Sequence, residues 1–286
     1  MKDTHFKHLL ELNIGILLIS SSGALGRFIE MPVPVIIWWR CFIAVFFIFI
    51  FCRYKKINLK LISKKDVLPI LLSALLTGAH WIFYFNALKH SNVAIGMLSL
   101  FTYPVLTALL EPLFVKVKFD HVHILLAVMI LSGIYILAPE FDLENSNVKG
   151  ILFGLLSALF YALRILISKR LIRNYSGTVL IFYQIFILTI LLVPTLFFMD
   201  TSGIKTQFPY VIILALITTA IGHSMFIQSL KHFAASTVSI LSSTQPIFGI
   251  IIAYWFLQEI PTWNTFFGGL IILSTVLIES LRARKR

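Results

Sequence analysis

The feature that most constrains this chain is a series of unbroken apolar runs, each about as long as a bilayer is thick. A helix that crosses the hydrocarbon core needs about 20 apolar residues. Ten segments qualify: 9–29, 33–53, 67–88, 92–115, 121–138, 149–171, 177–199, 208–229, 234–257 and 262–281. Charge clusters or helix breakers separate them, among them Pro32 with Pro34, Lys64 to Asp66, Asp200 and Pro261. Lipid offers backbone N–H and C=O groups no partner, so runs of this kind must be helical. A membrane barrel would alternate with period two, and these runs do not. Composition agrees, with 59% hydrophobic and 13% charged among 286 residues, against about 25% charged in an ordinary soluble domain. A soluble enzyme of this size could not hide so much apolar surface. A secreted disulfide scaffold is also excluded, because Cys41 and Cys52 lie in or at the end of a single run. The first run follows Lys2 and Lys7, as in a signal peptide. Arg27 and Glu30 come after it with no small-residue cleavage site, so it is read as a span.

Charge sets the orientation. In a soluble protein a net charge of +12 would point to nucleic acid. Here the basic residues are sorted by loop. With the N-terminus inside, inner segments hold 18 of the 24 Lys and Arg, and outer segments hold Lys89, Lys149 and Lys205. The remaining three, Arg27, Arg40 and Arg164, fall within spans. That asymmetry predicts a multi-pass protein of a bacterial inner membrane with both termini cytoplasmic and no nucleic-acid partner.

The chain also resembles itself. Leu88-Lys89-His90 recurs as Leu230-Lys231-His232, a shift of 142 residues. At the same shift Thr77 meets Thr219, Asn86 meets Gln228 and Pro104 meets Pro246, and at a shift of 144 Trp39-Arg40 meets Tyr183-Gln184. Five spans separate the copies, and an odd number inverts the second relative to the membrane. The expected fold is an all-α integral membrane protein of ten transmembrane helices in two inverted five-helix repeats, 1–142 and 143–286. Inverted repeats are the architecture of alternating-access carriers, whose substrate site lies near the midplane between the halves.

With the 5+5 helices, Arg40 in helix 2, the run 94–112 (AIGMLSLFTYPVLTALLEP) and the run 236–261 (STVSILSSTQPIFGIIIAYWFLQEIP), the chain resembles the drug/metabolite transporter superfamily, specifically its EamA-like ten-helix permeases. The resemblance implies a carrier of small metabolites with a central cavity lined by helices 1, 3, 4, 6, 8 and 9. One departure stands out: Glu259 ends helix 9, but its repeat-equivalent position is Val117, and the first half carries Glu111 instead.

Ionisable and polar residues inside spans nominate the site. Each charge at a helix centre costs about 2.5–3.5 kcal/mol on insertion scales, so it must pair or face a cavity. Arg40 is a candidate anion-attracting residue, with a snorkelling arginine as the competing reading. Arg27 and Glu259 share an outer depth, Arg164 and Glu111 an inner one; the expectation is two gating ion pairs, one broken in each state. Substrate-binding candidates are Ser21 in a weak SSSG stretch, Arg40, His80, Trp81 and Tyr84 in helix 3, Tyr103 and Gln245 directly before helix prolines, Tyr161, and His223. Ser239 and Ser242 read as helix packing. No helix offers a pair of ligands at i and i+4, so no metal or cofactor is expected.

Ten spans, inverted halves and short loops without a nucleotide-binding loop favour a secondary transporter. The expected cargo is an amino acid or related amphipathic metabolite, exported. A proton is the candidate coupling ion, through Glu111 or His80, and facilitated export fits the same residues. The partners are the cargo and the bilayer, with the chain a monomer or homodimer. The alternative is a channel or structural membrane subunit without carrier activity, although no charged or carbonyl-lined filter is evident. A membrane enzyme would cluster His, Asp or Glu at one face, and this sequence does not.

Overall fold

The computed structural model describes residues 2–114, 120–137, 142–233, 238 and 241–283. Among the described residues every regular element is helical. Numbered by span, the helices are α1 (Lys2–Phe28), α2 (Val33–Tyr54), α3 (Val67–His90), α4 in two pieces (Val93–Leu100 and Tyr103–Phe114) and α5 (Val122–Leu137). The second half has α6 (Ser146–Leu171), α7 (Gly177–Leu191), α8 (Ile204–Ile213, Leu214–His223 and Ser224–Ser229), α9 (Ser242–Thr244 running into Gln245–Leu257) and α10 (Trp263–Ala283). A helix of the length of α2, 22 residues, rises about 33 Å, which matches the hydrocarbon thickness. Each of the ten expected spans corresponds to one of these helices.

Starts follow local chemistry. Asn92 caps α4 by accepting from Ile95 N at 2.8 Å, Asn145 caps α6 through Asn147 N at 2.8 Å, and Ser176 caps α7 through Val179 N at 3.3 Å. Breaks follow the repeat. Pro104 cannot donate to the preceding turn, and α4 parts at Phe101 and Thr102 just before it. Its repeat mate Pro246 is likewise preceded by a tight 3₁₀ turn at Ser242–Thr244. In α8 the stretch Leu214–His223 widens into a π-helix, a local unwinding often found at functional sites.

The packing is two-fold. Helix α1 lies against α8 as α6 lies against α3, and α1 against α9 as α6 against α4. Across the middle α2 meets α7, and each of these also packs on the third helix of the opposite half, α8 and α3 respectively. At the far edge α5 meets α10. Trp81 and His223 stand 142 positions apart, and their rings touch with centroids 5.4 Å apart. Residues related by a two-fold that also touch must straddle its axis, so the axis passes between α3 and α8 at this depth. Large apolar side chains such as Phe42, Phe46, Leu72, Leu131, Ile251 and Phe267 are exposed on the outer faces, as a lipid solvent requires.

Between α5 and α10 the backbones meet at glycines. A Cβ on Gly133 would lie 3.0 Å from Gly268 O, and one on Gly268 would lie 2.8 Å from Gly133 O. In lipid, where apolar burial drives no helix together, such close small-residue contacts hold helices by dispersion. Gly133→Leu should therefore separate α5 from α10 at a cost of about 1–3 kcal/mol. The expected reading is a lower thermal midpoint of the detergent-purified chain, and an unchanged midpoint would refute the contact.

Candidate functional site

The interior of an apolar bundle should hold no polar cluster unless function requires one, and this bundle holds one at its axis. Arg40 of α2 is 1% exposed. Its Nε donates to Thr219 Oγ1, and its Nη2 to Thr218 Oγ1 at 3.1 Å. The guanidinium lies over the Trp81 ring, 4.0 Å from the centroid, a cation–π contact. The two threonines are presented together by the π-helical turn of α8, where Thr219 Oγ1 reaches back five residues to Leu214 O at 3.3 Å.

On the other side of the axis Arg164 of α6 is also 1% exposed. Its Nη2 donates to Gln184 Oε1 at 2.9 Å, and Gln184 Nε2 donates to Ser73 Oγ at 3.2 Å. Gln184 on α7 thus faces α3 as its repeat counterpart Arg40 on α2 faces α8. The Arg164 guanidinium stands 5.7 Å from the Tyr161 ring centroid, and its Nε and Nη1 have no hydrogen-bond partner among the described residues. The two guanidinium groups are within electrostatic reach of each other.

Between them His80 stacks on Tyr161, centroids 4.3 Å apart. Ser157 Oγ donates to His80 O at 2.9 Å, which leaves His80 Nδ1–H to donate to Ser157 Oγ at 2.7 Å and fixes the tautomer. The ring's Nε2 is then the atom left for other partners. Together Ile19, Ser22, Arg40, His80, Trp81, Tyr84, Leu100, Phe101, Tyr161, His223 and Gln245 enclose a cavity of about 20 Å³. That volume holds about one water, so the site is occluded.

The structure brings Arg40, His80, Trp81, Tyr84, Tyr161, His223 and Gln245 into this one wall, with helix 2 joining the six helices that the family resemblance implies. Two expectations shift. Ser21 turns away and donates to Leu18 O at 2.8 Å; its neighbour Ser22 faces the cavity instead, one helical position being a rotation of about 100°. Tyr103 stands behind the wall, edge-on to Tyr161 with centroids 4.7 Å apart. The threonine pair, Gln184 and Ser157 were not singled out as site residues. The i, i+4 spacing of Thr219 and His223 in one span, and the alignment of Gln184 with Arg40, are the signals that could have found them.

The Arg27–Glu259 ion pair is formed. Arg27 Nε lies 3.3 Å from Glu259 Oε1, while Glu259 Oε2 accepts from Val93 N at 2.8 Å. Gln258, with φ at 57°, ends α9 in a left-handed turn that sets Glu259 back over α1 and α4. Arg27 Nη1 also donates to Lys89 O at 2.8 Å, and Lys89 Nζ caps Arg27 O and Ile29 O at 2.9 and 2.6 Å. Four helix ends, those of α1, α3, α4 and α9, are thereby tied together.

No ion pair joins Arg164 to Glu111 in this state, and the expectation of one broken pair in each state allows for that. Arg164 turns instead to Gln184 and the Tyr161 ring. Glu111 instead is in electrostatic reach of Lys169, which stands 142 residues after Arg27. Lys169 Nζ donates to Leu230 O and Phe233 O, both at 2.6 Å, as Arg27 donates to Lys89 O. The first helix of each repeat therefore ends in a cation that caps the third helix of the same repeat. Val117 and Ser239 lie outside the described residues.

Removing one hydroxyl tests how far Arg40 depends on neutral acceptors. Thr219→Val leaves Arg40 Nε without its acceptor, at a cost of about 1–3 kcal/mol, and should lower the thermal midpoint, whereas Thr219→Ser should not. Equal midpoints for the two variants would show the bond to be dispensable.

Comparison with known proteins bears on the whole chain. The model of the EamA-like transporter family matches twice, over residues 12–138 and 148–281. The uncharacterized transporter YxxF of Bacillus subtilis is 24% identical over 278 residues, 96% of this chain and 89% of the relative. The pseudopaline exporter CntI of Pseudomonas aeruginosa is 23% identical over 245 residues, 85% of this chain and 84% of the relative. A solved crystal structure superposes with a TM-score of 0.71 at 18% identity, over 98% of both chains, and so shares the fold. With the family's model matching in each half of a ten-helix bundle, the chain belongs to the EamA-like transporter family and is a multi-pass membrane transporter.

Proposed function

We propose that this transporter is a secondary carrier that moves a small amphipathic metabolite, an amino acid or a related compound, out of the cell across the bacterial inner membrane by alternating access. One observation carries the reading: a polar, aromatic-walled site sits enclosed on the axis that relates the two halves, sealed within apolar helices. A carrier needs its site there, because rocking one half against the other then exposes the same residues to either face. The likeness to an exporter supports the outward direction.

Each face has one gate, built from one residue of each half. Outside, Arg27 with Glu259 ties α9 to α1, α3 and α4. Inside, the cation equivalent to Arg27 is Lys169, with Glu111 as the acid within its reach, and Arg164 with Glu111 remains the pair that would form when that face closes. Opening one face then requires parting one ion pair while the other closes.

Counterflow of a radiolabelled amino-acid panel in proteoliposomes, with and without a pH gradient, tests the carrier reading. Exchange of at least one member is the expected result, and stimulation by the gradient would mark proton coupling. Ion conductance with no exchange of any member would make the chain a channel. For the outer gate, Arg27→Glu and Glu259→Arg should each slow counterflow by roughly tenfold, and the double swap should recover most of the loss. Additive losses would show that the two side chains do not act as a pair.

A further inference from the structure

Two buried guanidinium groups stand at the central cavity, Arg40 in its wall and Arg164 behind Tyr161, and among the described residues no carboxylate lines it. Arg40 and Arg164 are each 1% exposed, and their bonded partners are the hydroxyls of Thr218 and Thr219 and the amide oxygen of Gln184. Among the described residues no carboxylate forms an ion pair with either guanidinium; those pairs lie elsewhere, at His8, Arg27, Lys149 and Arg282. His80 and His223 add no negative charge. The acids nearest in sequence depth are engaged at the two ends of the bundle, Glu259 with Arg27 and Glu111 within reach of Lys169.

A buried charge with no counter-charge is strongly unfavourable, because dipoles return only part of the hydration it has lost. Proteins retain such groups where a ligand completes them. The unsatisfied atoms point the same way: among the described residues, Arg164 Nε and Nη1 and Gln245 Nε2 are buried donors without acceptors. What is missing from the site is a set of acceptor oxygens carrying negative charge. The remaining wall is Trp81, Tyr84, Phe101 and Tyr161, which suits an apolar or aromatic body.

We infer that the cargo is an organic anion, its carboxylate drawn to the side of the cavity where Arg40 lines the wall and Arg164 stands beyond Tyr161, with its apolar part against the aromatic wall. The inference rests on the carrier reading above and narrows its substrate class. A carboxylate there supplies acceptor oxygens and brings the net charge of the site toward zero. Gln184 is the pivot of the test, since it occupies the place beside Arg164 where a fixed counter-charge would sit. Gln184→Glu builds that counter-charge into the protein.

The probes are matched acid and amide pairs of one skeleton, phenyllactate with phenyllactamide and phenylsuccinate with its diamide, applied to the detergent-purified full chain. Thermal midpoints should rise with the acids and stay unchanged with the amides. Gln184→Glu should raise the midpoint of the ligand-free protein and weaken the response to the acids by at least about tenfold in concentration, as a displaced charge pair would. Gln184→Met, which removes the acceptor without adding charge, should lower the ligand-free midpoint. Amides that stabilise as well as acids, no acid that stabilises more than its amide, or an undiminished acid response in Gln184→Glu would each overturn the anion site. Counterflow of the same pairs in vesicles separates the two levels. Acids that bind without exchanging would overturn the carrier reading and leave the anion site standing. Amides that exchange as fast as acids would do the reverse.

Discussion

Two arginines buried in a medium that cannot solvate them are the constraint on which the rest of this structure depends. In water each guanidinium would cost nothing to keep; in the bundle each must find donors' partners within the protein. Arg40 finds them in a pair of threonines, and the backbone of α8 departs from the α-helical path at the turn that presents both hydroxyls. Arg164 finds one in Gln184, which is itself held by Ser73. The helices that carry these partners, α3, α7 and α8, cannot slide freely against α2 and α6 without breaking those bonds. The polar cluster therefore fixes how the two halves meet, while the outer faces, dissolved in lipid, fix nothing.

Symmetry explains the arrangement around that cluster. Arg27 and Lys169, in equivalent places, each cap the end of the third helix of their own repeat. Inside a repeat these caps join first and third helices as one body. Between repeats the ties differ: Glu259 pairs with Arg27 at one face, and the acid of the first half sits six residues off its equivalent position. The two faces are thus similar in construction and unequal in detail. At the axis itself Trp81 and His223 show the same principle, equivalent positions occupied by different chemistry.

Much of this was legible in the chain, because the physics that wrote it is one-dimensional. Span length, breakers and the sorting of lysine and arginine are local quantities, and they gave the ten helices. The repeat located the axis and, through Arg40 and Gln184, the two helices that meet there. Side-chain direction was not legible in the same way. Ser21 and Ser22 are adjacent letters, and only the rotation of α1 decides that Ser22 faces inward. Arg164 and Glu111 match in depth along a helix axis, yet depth says nothing about azimuth. The widened turn of α8 has no strong sequence mark, so the joint presentation of Thr218 and Thr219 was hidden until the backbone was seen.

We propose that the two faces open in turn around one enclosed site. Pulsed spin-label distances across both faces test it most directly. One pair of labels would sit at His90 and Ile260, across the outer ends of α3 and α9, and another at Phe114 and Lys231, across the inner ends of α4 and α8. The account predicts two populations for each pair, with conditions that lengthen the outer distance shortening the inner one. Distances that stay single, or that lengthen together at both faces, would contradict it.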